Sequence, residues 1–300
     1  MADQRAAVVV FNPAAGRRGA HEALRAVTTR LDGKIAAVLE TSLAGGFDLR
    51  LRDAIRDVVS TGTRPKVIGV GGDGTLSIAL NALADPSAVT MAVVPVGSGN
   101  DFAAALGVAT VDKAIDAIER GTSRLVDFGV VNGRRFANCV GIGLDAEIGA
   151  LSARMRRRGF PPGPSYYAAA LVGLFMVKQV GIALRSADKT IRREDGVMVT
   201  IGNGPEYGGG FKGAPGALLD DGLLDVNVFS DVQGLFRRLA LMQRIRAGLH
   251  VGQSNVDTFR TATLEIDVDR EVAMHVDGEI ASVRHASIAI VPNGMRAIAP

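Results

Sequence analysis

Val67-Ile68-Gly69-Val70-Gly71-Gly72-Asp73-Gly74-Thr75 is an apolar run followed by a glycine-rich segment, and the helix-like residues 76–80 come next. This order predicts a strand, a phosphate-binding loop and a helix. Glycines let backbone N–H groups approach an anion closely, and the helix N-terminus adds partial positive charge. Because Asp73 would repel bare phosphate, we expect Mg²⁺ between the loop and the phosphates. The segment therefore predicts a site for a nucleoside triphosphate.

The composition is that of a well-cored globular protein of one large domain or two domains. The chain has 300 residues, of which 47% are hydrophobic and 37 are glycine. Its formal net charge is only +3, although Arg154-Met155-Arg156-Arg157-Arg158 concentrates positive charge. Cys139, the single cysteine, excludes an internal disulfide and fits a reducing cytoplasm.

The sequence shows neither the layout of a signal peptide nor a long apolar span. Its most apolar stretch, residues 166–184, is interrupted by Lys178 and Gln179. The uninterrupted part, residues 168–177, is far shorter than the roughly 20 residues that a membrane-spanning helix needs. We therefore expect a soluble, cytoplasmic protein that touches a membrane surface.

Strand-like and helix-like segments alternate through residues 1–127, the predicted first domain. Strands are predicted at 6–11, 35–39, 67–70 and 91–96, and helices at 19–31, 47–59 and 111–118. This alternation predicts an α/β domain with a mostly parallel sheet and helices on both faces. Ligand loops then lie at the carboxyl ends of the strands.

From residue 128 the pattern changes to closely spaced strands with tight turns. Asn132-Gly133 is a hairpin signal, and Asp221-Gly222 and Asp277-Gly278 are turns of the same kind. Further strands are predicted at 197–201, 223–229, 263–268, 272–276 and 286–291, interrupted by helical insertions at about 145–184 and 232–250. We predict a second domain, residues 128–292, that is an antiparallel β-sandwich with helical insertions.

Residues 69–74 also match the dinucleotide-binding pattern G-x-G-x-x-G. That site needs an acidic residue at the end of the next strand, and Val93-Val94-Pro95-Val96 carries none. The chain contains no Walker A pattern. A glycine turn without a ligand is a further alternative, but two other loops follow strands in the same half and would converge on the same sheet edge: Asn12-Pro13-Ala14-Ala15-Gly16 and Gly97-Ser98-Gly99-Asn100-Asp101.

These three loops together resemble the signature loops of the diacylglycerol kinase catalytic domain, a superfamily that includes sphingosine, ceramide and bacterial lipid kinases. Residues 220–226, Asp-Asp-Gly-Leu-Leu-Asp-Val, and residues 276–279, Val-Asp-Gly-Glu, are similar to its later motifs. The resemblance implies a fold like that of NAD kinases and diacylglycerol kinases, in which residues 293–300 pack back on the first domain. It also implies an ATP- and Mg²⁺-dependent lipid kinase, with diacylglycerol as the expected acceptor.

In the first domain, the resemblance implies a site for ATP and Mg²⁺. The phosphates would be held by Asn12, Pro13, Ala14, Ala15, Gly16, Gly71, Gly72, Asp73, Gly74 and Thr75. The nucleotide pocket would be completed by Thr41, Ser98 and Asn100. The Mg²⁺ ion and its waters would be ordered by Asp73, Asp101 and Asp127.

In the second domain, the resemblance implies a structural metal site and a proton-accepting pair. Asp221 and the backbone carbonyls of Leu218 and Leu223 match the metal site. Asp277 and Glu279 match the pair, and which of them is the base stays open. Two carboxylates across an Asp-Gly turn are expected to be exposed and close, so that one raises the pKa of the other. A plain hairpin turn is the alternative.

The expected partner is a lipid at the inner face of the membrane. The basic run 154–158 fits an acidic lipid surface or a solvated helix end. Nucleic acid is not expected, because the other basic residues are scattered and the chain has no Trp. The rival hypotheses are an NAD kinase, from whose pattern residues 95–101 depart, and a non-catalytic nucleotide or lipid sensor, against which Asp73 and Asp277 argue. The resemblance also suggests a homodimer.

Overall fold

A computed structural model describes residues 5–16, 18–41, 45–97 and 99–300. Contacts within the chain divide it into two compact units. The first comprises Met1–Asp127 and Asn293–Pro300, and the second comprises Phe128–Pro292.

The first unit alternates strands and helices, as its sequence periodicity predicts. Its elements are β1 (Ala7–Phe11), α1 (Arg18–Arg30), β2 (Ile35–Glu40), α2 (Phe47–Ser60), β3 (Lys66–Gly71), α3 (Asp73–Ala82), β4 (Thr90–Pro95), α4 (Asp101–Ala105) and α5 (Val111–Arg120). A short 3-10 turn, Pro86–Ala88, precedes β4.

The strands of this unit pair in parallel in the order β4-β3-β1-β2. Every residue of β1 and β4 is buried, as expected for parallel strands that are covered on both faces. Near the C-terminus, Arg296 and Ala297 pair in parallel with Thr90 and Met91 of β4. Because neighbouring parallel strands end at the same edge of a sheet, the loops after β1, β3 and β4 lie side by side.

The second unit is built from antiparallel strands with three helices. Its elements are β5 (Ser123–Val131), β6 (Arg134–Phe136), β7 (Cys139–Gly143), α6 (Leu144–Arg157), α7 (Pro162–Gly173), β8 (Val180–Ser186), β9 (Thr190–Gly202), β10 (Leu224–Ser230), α8 (Leu235–Ala247), β11 (Val256–Thr261), β12 (Thr263–Val276) and β13 (Glu279–Ile298). The strand β5 begins in the first unit, and the strand β13 ends in it.

Two long strands shape this unit. One part of β9 pairs with β8 and another with β7, and β12 divides its pairing between the same two partners. Large apolar side chains from both parts, such as Leu184 and Val199, belong to one continuous core. A core enclosed between two parts of a bent sheet is the arrangement of a β-sandwich.

The structure corrects three details of the predicted elements. The helical insertion ends at Gly173, and Val180–Ser186 is a strand whose residues alternate between buried and less buried positions. The strands predicted at 263–268 and 272–276 are one strand, β12, with a register shift between Asp267 and Val272. The strand β11 lies in a segment for which no element was predicted. Within the described ranges, no helix is long and apolar enough to cross a membrane.

Candidate active site

The predicted phosphate loop joins β3 to α3, and it packs against the loop after β4. The Gly71 carbonyl accepts hydrogen bonds from the backbone N–H groups of Val96 and Gly97, at 2.8 and 3.3 Å. A Cβ atom added to Gly72 would lie 2.5 Å from the Gly99 carbonyl oxygen, and one added to Gly97 would lie 2.6 Å from the Gly72 Cα. The two loops therefore touch backbone to backbone, which glycine alone permits.

We expect Gly97→Ala to destabilise the first unit, because the new methyl group meets backbone atoms that cannot rotate away. Overpacking of this kind costs about 1–3 kcal/mol, and urea denaturation would measure the loss. Gly74→Ala, in the first turn of α3, is the control, since a Cβ there meets nothing within 4 Å. If the two variants had equal stability, the close contact between the loops would be wrong.

Asp73 joins these two loops through its carboxylate. Its Oδ2 accepts a hydrogen bond from the backbone N–H of Asp101 at 3.1 Å, and its Oδ1 accepts one from Phe102 at 3.2 Å. A Cβ on Gly99 would lie 3.1 Å from Asp73 Oδ2 and 3.8 Å from Asp101 Oδ2. Two carboxylates therefore converge beside the backbone of Gly99.

The loop after β1 meets the same edge. The Asn12 side-chain oxygen accepts a hydrogen bond from Ala14 N at 3.0 Å, and Asn12 N donates to Val70 O at 3.2 Å. A Cβ on Gly16, which has φ +56°, would lie 2.0 Å from the Val96 carbonyl oxygen. Pro13 and Ala15 lie in the turn between these contacts. All three predicted loops are thus in contact.

The remaining residues predicted for the nucleotide pocket have varied surroundings. Thr75 is buried, and its hydroxyl finds no hydrogen-bond partner in the described part of the chain. Asn100 closes its own loop, since its side chain accepts from Gly97 N and donates to Gly97 O. Thr41, beyond the end of β2, donates its backbone N–H to Phe11 O. Ser98 lies outside the described residues.

Asp127 has a different environment from the other two carboxylates predicted for Mg²⁺. Its fully buried side chain accepts a hydrogen bond from Asn293 N at 2.7 Å, which ties the C-terminal segment to the first unit. Across the described residues, no group of three or more His, Cys, Asp or Glu side chains could hold one metal ion. The predicted three-carboxylate cluster is therefore absent there, and Asp73 and Asp101 form the pair that converges.

In the second unit, Asp277 occupies the turn between β12 and β13 with φ 48°. Its side chain is buried, and its carboxylate accepts three backbone hydrogen bonds: from Ala137 at 2.8 Å, Asn138 at 3.0 Å and Cys139 at 2.9 Å. Burial raises the pKa of Asp277, and these three hydrogen bonds oppose that rise. Three of about four lone-pair sites are thereby used, which leaves room for one further donor.

The expectation of an exposed carboxylate pair is wrong. Asp277 is only 8% exposed, whereas Glu279 is exposed and forms an ion pair with Arg134. The raised pKa of Asp277 has burial as its main cause, not a neighbouring carboxylate. The error arose because an Asp-Gly turn is normally on the surface, and the strand that covers this turn comes from residues far away in sequence.

A buried polar cluster, which the sequence does not predict as a cluster, lies near Asp277. His275 is two residues before Asp277 on β12, and its Nε2 lies 2.9 Å from Asp145 Oδ2. The Tyr166 hydroxyl donates to Asp145 Oδ1. Burial, followed by the charge of Asp145, raises the pKa of Tyr166 and of Tyr207 well above the usual value. Asp145 lies in the first turn of α6, two residues after β7 ends, and that position close to a strand end is the signal that the sequence offers.

This polar cluster lines one side of a narrow apolar cavity. The cavity has a volume of about 70 Å³ and is bounded by α6, α7, α8 and β9. Asp145, Tyr166 and Tyr207 contribute its polar side, and Leu174, Met198 and Met242 are among its apolar walls. An apolar group that carries a polar end has the complementary chemistry.

The residues predicted for a structural metal are arranged around an arginine. Asp221 forms an ion pair with Arg260, which also bonds to Asp225 at 3.2 Å. The other oxygen of Asp221 accepts from Leu223 N at 3.0 Å, and Leu218 is exposed. Because a guanidinium already neutralises Asp221, this arrangement does not fit a metal ion, and we assign none to it.

The comparisons with known proteins cover both units. The family model described as "Diacylglycerol kinase catalytic domain" matches residues 6–131, and that described as "YegS C-terminal NAD kinase beta sandwich-like domain" matches residues 138–299. A diacylglycerol kinase of Mycobacterium tuberculosis is 29% identical over 297 residues, which cover 96% of this chain and 93% of that protein. A protein of Pseudomonas fluorescens named "Probable lipid kinase YegS-like" is 30% identical over 262 residues, which cover 83% of this chain and 85% of that protein.

The fold has counterparts among solved structures. A crystal structure described as a diacylglycerol kinase from Bacillus anthracis str. Sterne superposes with a TM-score of 0.72 and is 22% identical. The match covers 99% of this chain and 97% of the other. At this identity the match establishes the two-unit architecture alone.

Proposed function

This chain belongs to the diacylglycerol kinase and YegS-like family of lipid kinases, and we propose that it transfers the γ-phosphate of ATP to the hydroxyl of diacylglycerol. The products are ADP and phosphatidic acid. The observation that carries this proposal on the donor side is the convergence of Asp73 and Asp101 beside Gly99, where three strand-end loops meet.

The loops of the first unit supply what a triphosphate requires. The backbones of the two loops are in direct contact at Gly72 and Gly97. The Thr75 hydroxyl is buried against Gly71 and has no hydrogen-bond partner in the described chain. Glycine-rich loops before a helix bind phosphate through backbone N–H groups, so this edge supports ATP as the phosphoryl donor.

Asp73 and Asp101 have the chemistry to hold Mg²⁺. Magnesium is usually bound through one or two carboxylates, with waters and substrate phosphates completing its shell. Two converging carboxylates fit that pattern. Bound Mg²⁺ would neutralise charge on the phosphates during transfer.

Asp277 is our candidate for the base. The acceptor hydroxyl oxygen forms a bond to the γ-phosphorus, the bond from that phosphorus to the bridging oxygen of ADP breaks, and Asp277 takes the hydroxyl proton. Three backbone N–H groups fix its carboxylate, and a raised pKa makes it a better proton acceptor than an exposed Asp. Glu279, in contrast, is exposed and forms an ion pair with Arg134 at the surface.

The apolar cavity supports a lipid as the acceptor. Its walls are hydrophobic, and its polar side carries a carboxylate and two tyrosine hydroxyls. These are donors and acceptors for a glycerol or amide head group. The cavity is narrow, so an acyl chain would enter it by displacing α7 or α8.

A panel of acceptors tests the proposal. Purified protein, γ-labelled ATP and Mg²⁺ are combined with diacylglycerol, monoacylglycerol, sphingosine, ceramide or NAD, and one reaction contains no acceptor. We expect label in phosphatidic acid, with less in the other lipids. Label in NAD alone, or no labelled lipid in any reaction, would contradict the proposal.

A further inference from the structure

Six large apolar side chains are exposed at the end of α7 and the start of α8. We call them the apolar tip: Leu171, Val172, Phe175, Met176, Leu235 and Phe236. Phe236 is 87% exposed and Phe175 is 74% exposed. Apolar residues scattered singly over a surface are ordinary, whereas a contiguous apolar patch marks an interaction site.

Hydrogen bonds show that the two parts of the tip lie at the same end of the helix pair. Arg238, in the first turn of α8, donates to Leu174 O just beyond α7, at 3.1 Å. Gln243, further along α8, donates to the Tyr167 hydroxyl in the first half of α7, at 2.8 Å. The helices therefore run antiparallel, and the start of α8 lies beside the end of α7.

The tip carries positive charge beside its apolar surface. The helix α7 has no charged residue, and α8 has four arginines and no acidic residue. Lys178 and Arg237 are exposed next to the apolar side chains. Two acidic residues lie close to this end: Asp231 is ion-paired with Arg238, and Asp195 accepts a hydrogen bond from the Ser230 hydroxyl at 3.0 Å. Apolar side chains flanked by exposed cations complement an anionic bilayer, because the former enter the acyl region and the latter contact head groups.

Residues that line the apolar cavity are neighbours of the tip residues in the sequence. Leu174 and Val177, which adjoin Phe175 and Met176, line the cavity, as does Arg238 of α8. We propose that the apolar tip docks on an anionic lipid bilayer and so presents this cavity to the acyl region. The proposal deepens the lipid kinase function and rests on it for the use of the cavity.

Two alternatives, self-association through the tip and membrane contact through the basic run of α6, fit these observations less well. A second copy docked tip to tip would bring Lys178 and Arg237 of both copies together, which like-charge repulsion disfavours. The basic run at the end of α6 directly precedes α7, and Ser152 bonds to Ser165 in the first turn of α7. That run therefore lies at the opposite end of α7, about 18 Å away for a 12-residue helix.

Vesicle sedimentation without nucleotide tests the docking. Wild-type protein is mixed with vesicles of phosphatidylcholine alone or with vesicles that also contain phosphatidylglycerol, whose negative charge attracts basic segments. We expect binding that is stronger to the anionic vesicles and at least about tenfold weaker for the double variant Phe175→Ser and Phe236→Ser. Changing Lys178 and Arg237 to Gln should remove the preference for anionic vesicles.

Control variants test whether vesicle binding depends on the apolar tip or on other exposed apolar and basic residues. Leu249→Ser changes an apolar residue that is 67% exposed just beyond the other end of α8, and it should bind like wild type. Arg157→Gln with Arg158→Gln changes charge at the far end of α7 and should also leave binding unchanged. Phe236→Ser alone provides the test if the double variant fails to fold.

The outcomes decide between the hypotheses. Three results would each overturn the docking proposal. The wild-type protein binds neither kind of vesicle, the tip variants bind vesicles as well as wild type does, or only the variant at Arg157 and Arg158 loses vesicle binding. A tip variant that changes the oligomeric state and keeps vesicle binding would indicate self-association instead. Failure of the kinase proposal is distinguishable, because the wild-type protein would then bind vesicles but phosphorylate no lipid. If the kinase proposal holds, the tip variants should still phosphorylate a short-chain substrate dispersed in detergent.

Discussion

Replacing Asp277 with Asn should lower kcat at least about 100-fold, the usual scale for loss of a general base, while the protein stays folded. Asparagine keeps the shape of the side chain, and its one oxygen can still accept from the backbone N–H groups of Asn138 and Cys139. Its NH₂ group replaces the oxygen that accepts from the Ala137 N–H, so two donors face each other there. Label transfer from ATP to diacylglycerol measures kcat, and thermal unfolding reports whether the fold is intact.

Glu279→Gln is the matched control and decides which carboxylate accepts the proton. Because Glu279 is exposed and paired with Arg134, its amide variant should keep kcat within about threefold of wild type, consistent with the small worth of surface ion pairs. The assignment of the base would be wrong if Glu279→Gln lost activity and Asp277→Asn retained it.

The pH dependence follows from the raised pKa of Asp277. A protonated carboxyl group cannot take the hydroxyl proton, so kcat should fall as pH decreases through that raised pKa. The fall should therefore occur above the value of about 3.9 that is normal for Asp. The residual activity of Asp277→Asn should lack this acidic limb.

Replacing Asp73 with Asn should lower kcat/KM for ATP by about 100-fold or more, since one of two converging carboxylates loses its charge. The Mg²⁺ concentration that gives half-maximal activity should rise at the same time. A Mg²⁺ titration of label transfer measures both. Unchanged turnover with an unchanged Mg²⁺ requirement would overturn the metal assignment.

Asp73 also holds the start of α4, so its variant needs a control for structure alone. Asp85 caps the 3-10 turn through hydrogen bonds to Ser87, a contact of the same kind. Loss of such a cap costs about 0.5–2 kcal/mol. Asp85→Ala removes that cap and should show a loss of this size with normal activity, which distinguishes a charge effect at Asp73 from a capping effect.

Much of the first unit could be predicted from the sequence because its signals are local. The apolar runs at β1, β3 and β4 and the Gly-Gly-Asp-Gly-Thr turn each specify their own backbone. The meeting of the three loops follows from parallel pairing. What could not be predicted is that the Asp73 carboxylate bonds the backbone of residues 101 and 102, because that contact depends on loop packing.

The second unit was harder because its important contacts span long stretches of sequence. Asp277 is buried by residues about 140 positions earlier, so no local pattern could reveal its environment. The same holds for the pairs of Asp145 with His275 and of Asp221 with Arg260. The strand β8 was included in a predicted helix because residues 166–184 form an almost continuous apolar stretch.

The central claim is that this chain is an ATP-dependent kinase for a lipid hydroxyl, with donor chemistry at Asp73 and proton acceptance at Asp277. The most direct measurement follows γ-labelled phosphate from ATP into organic-soluble product, with diacylglycerol as acceptor and the wild type, Asp73→Asn and Asp277→Asn proteins side by side. We predict labelled phosphatidic acid with wild type and at least about 100-fold less with each variant. Label in water-soluble NAD phosphate, or equal labelling of lipid by all three proteins, would contradict the claim.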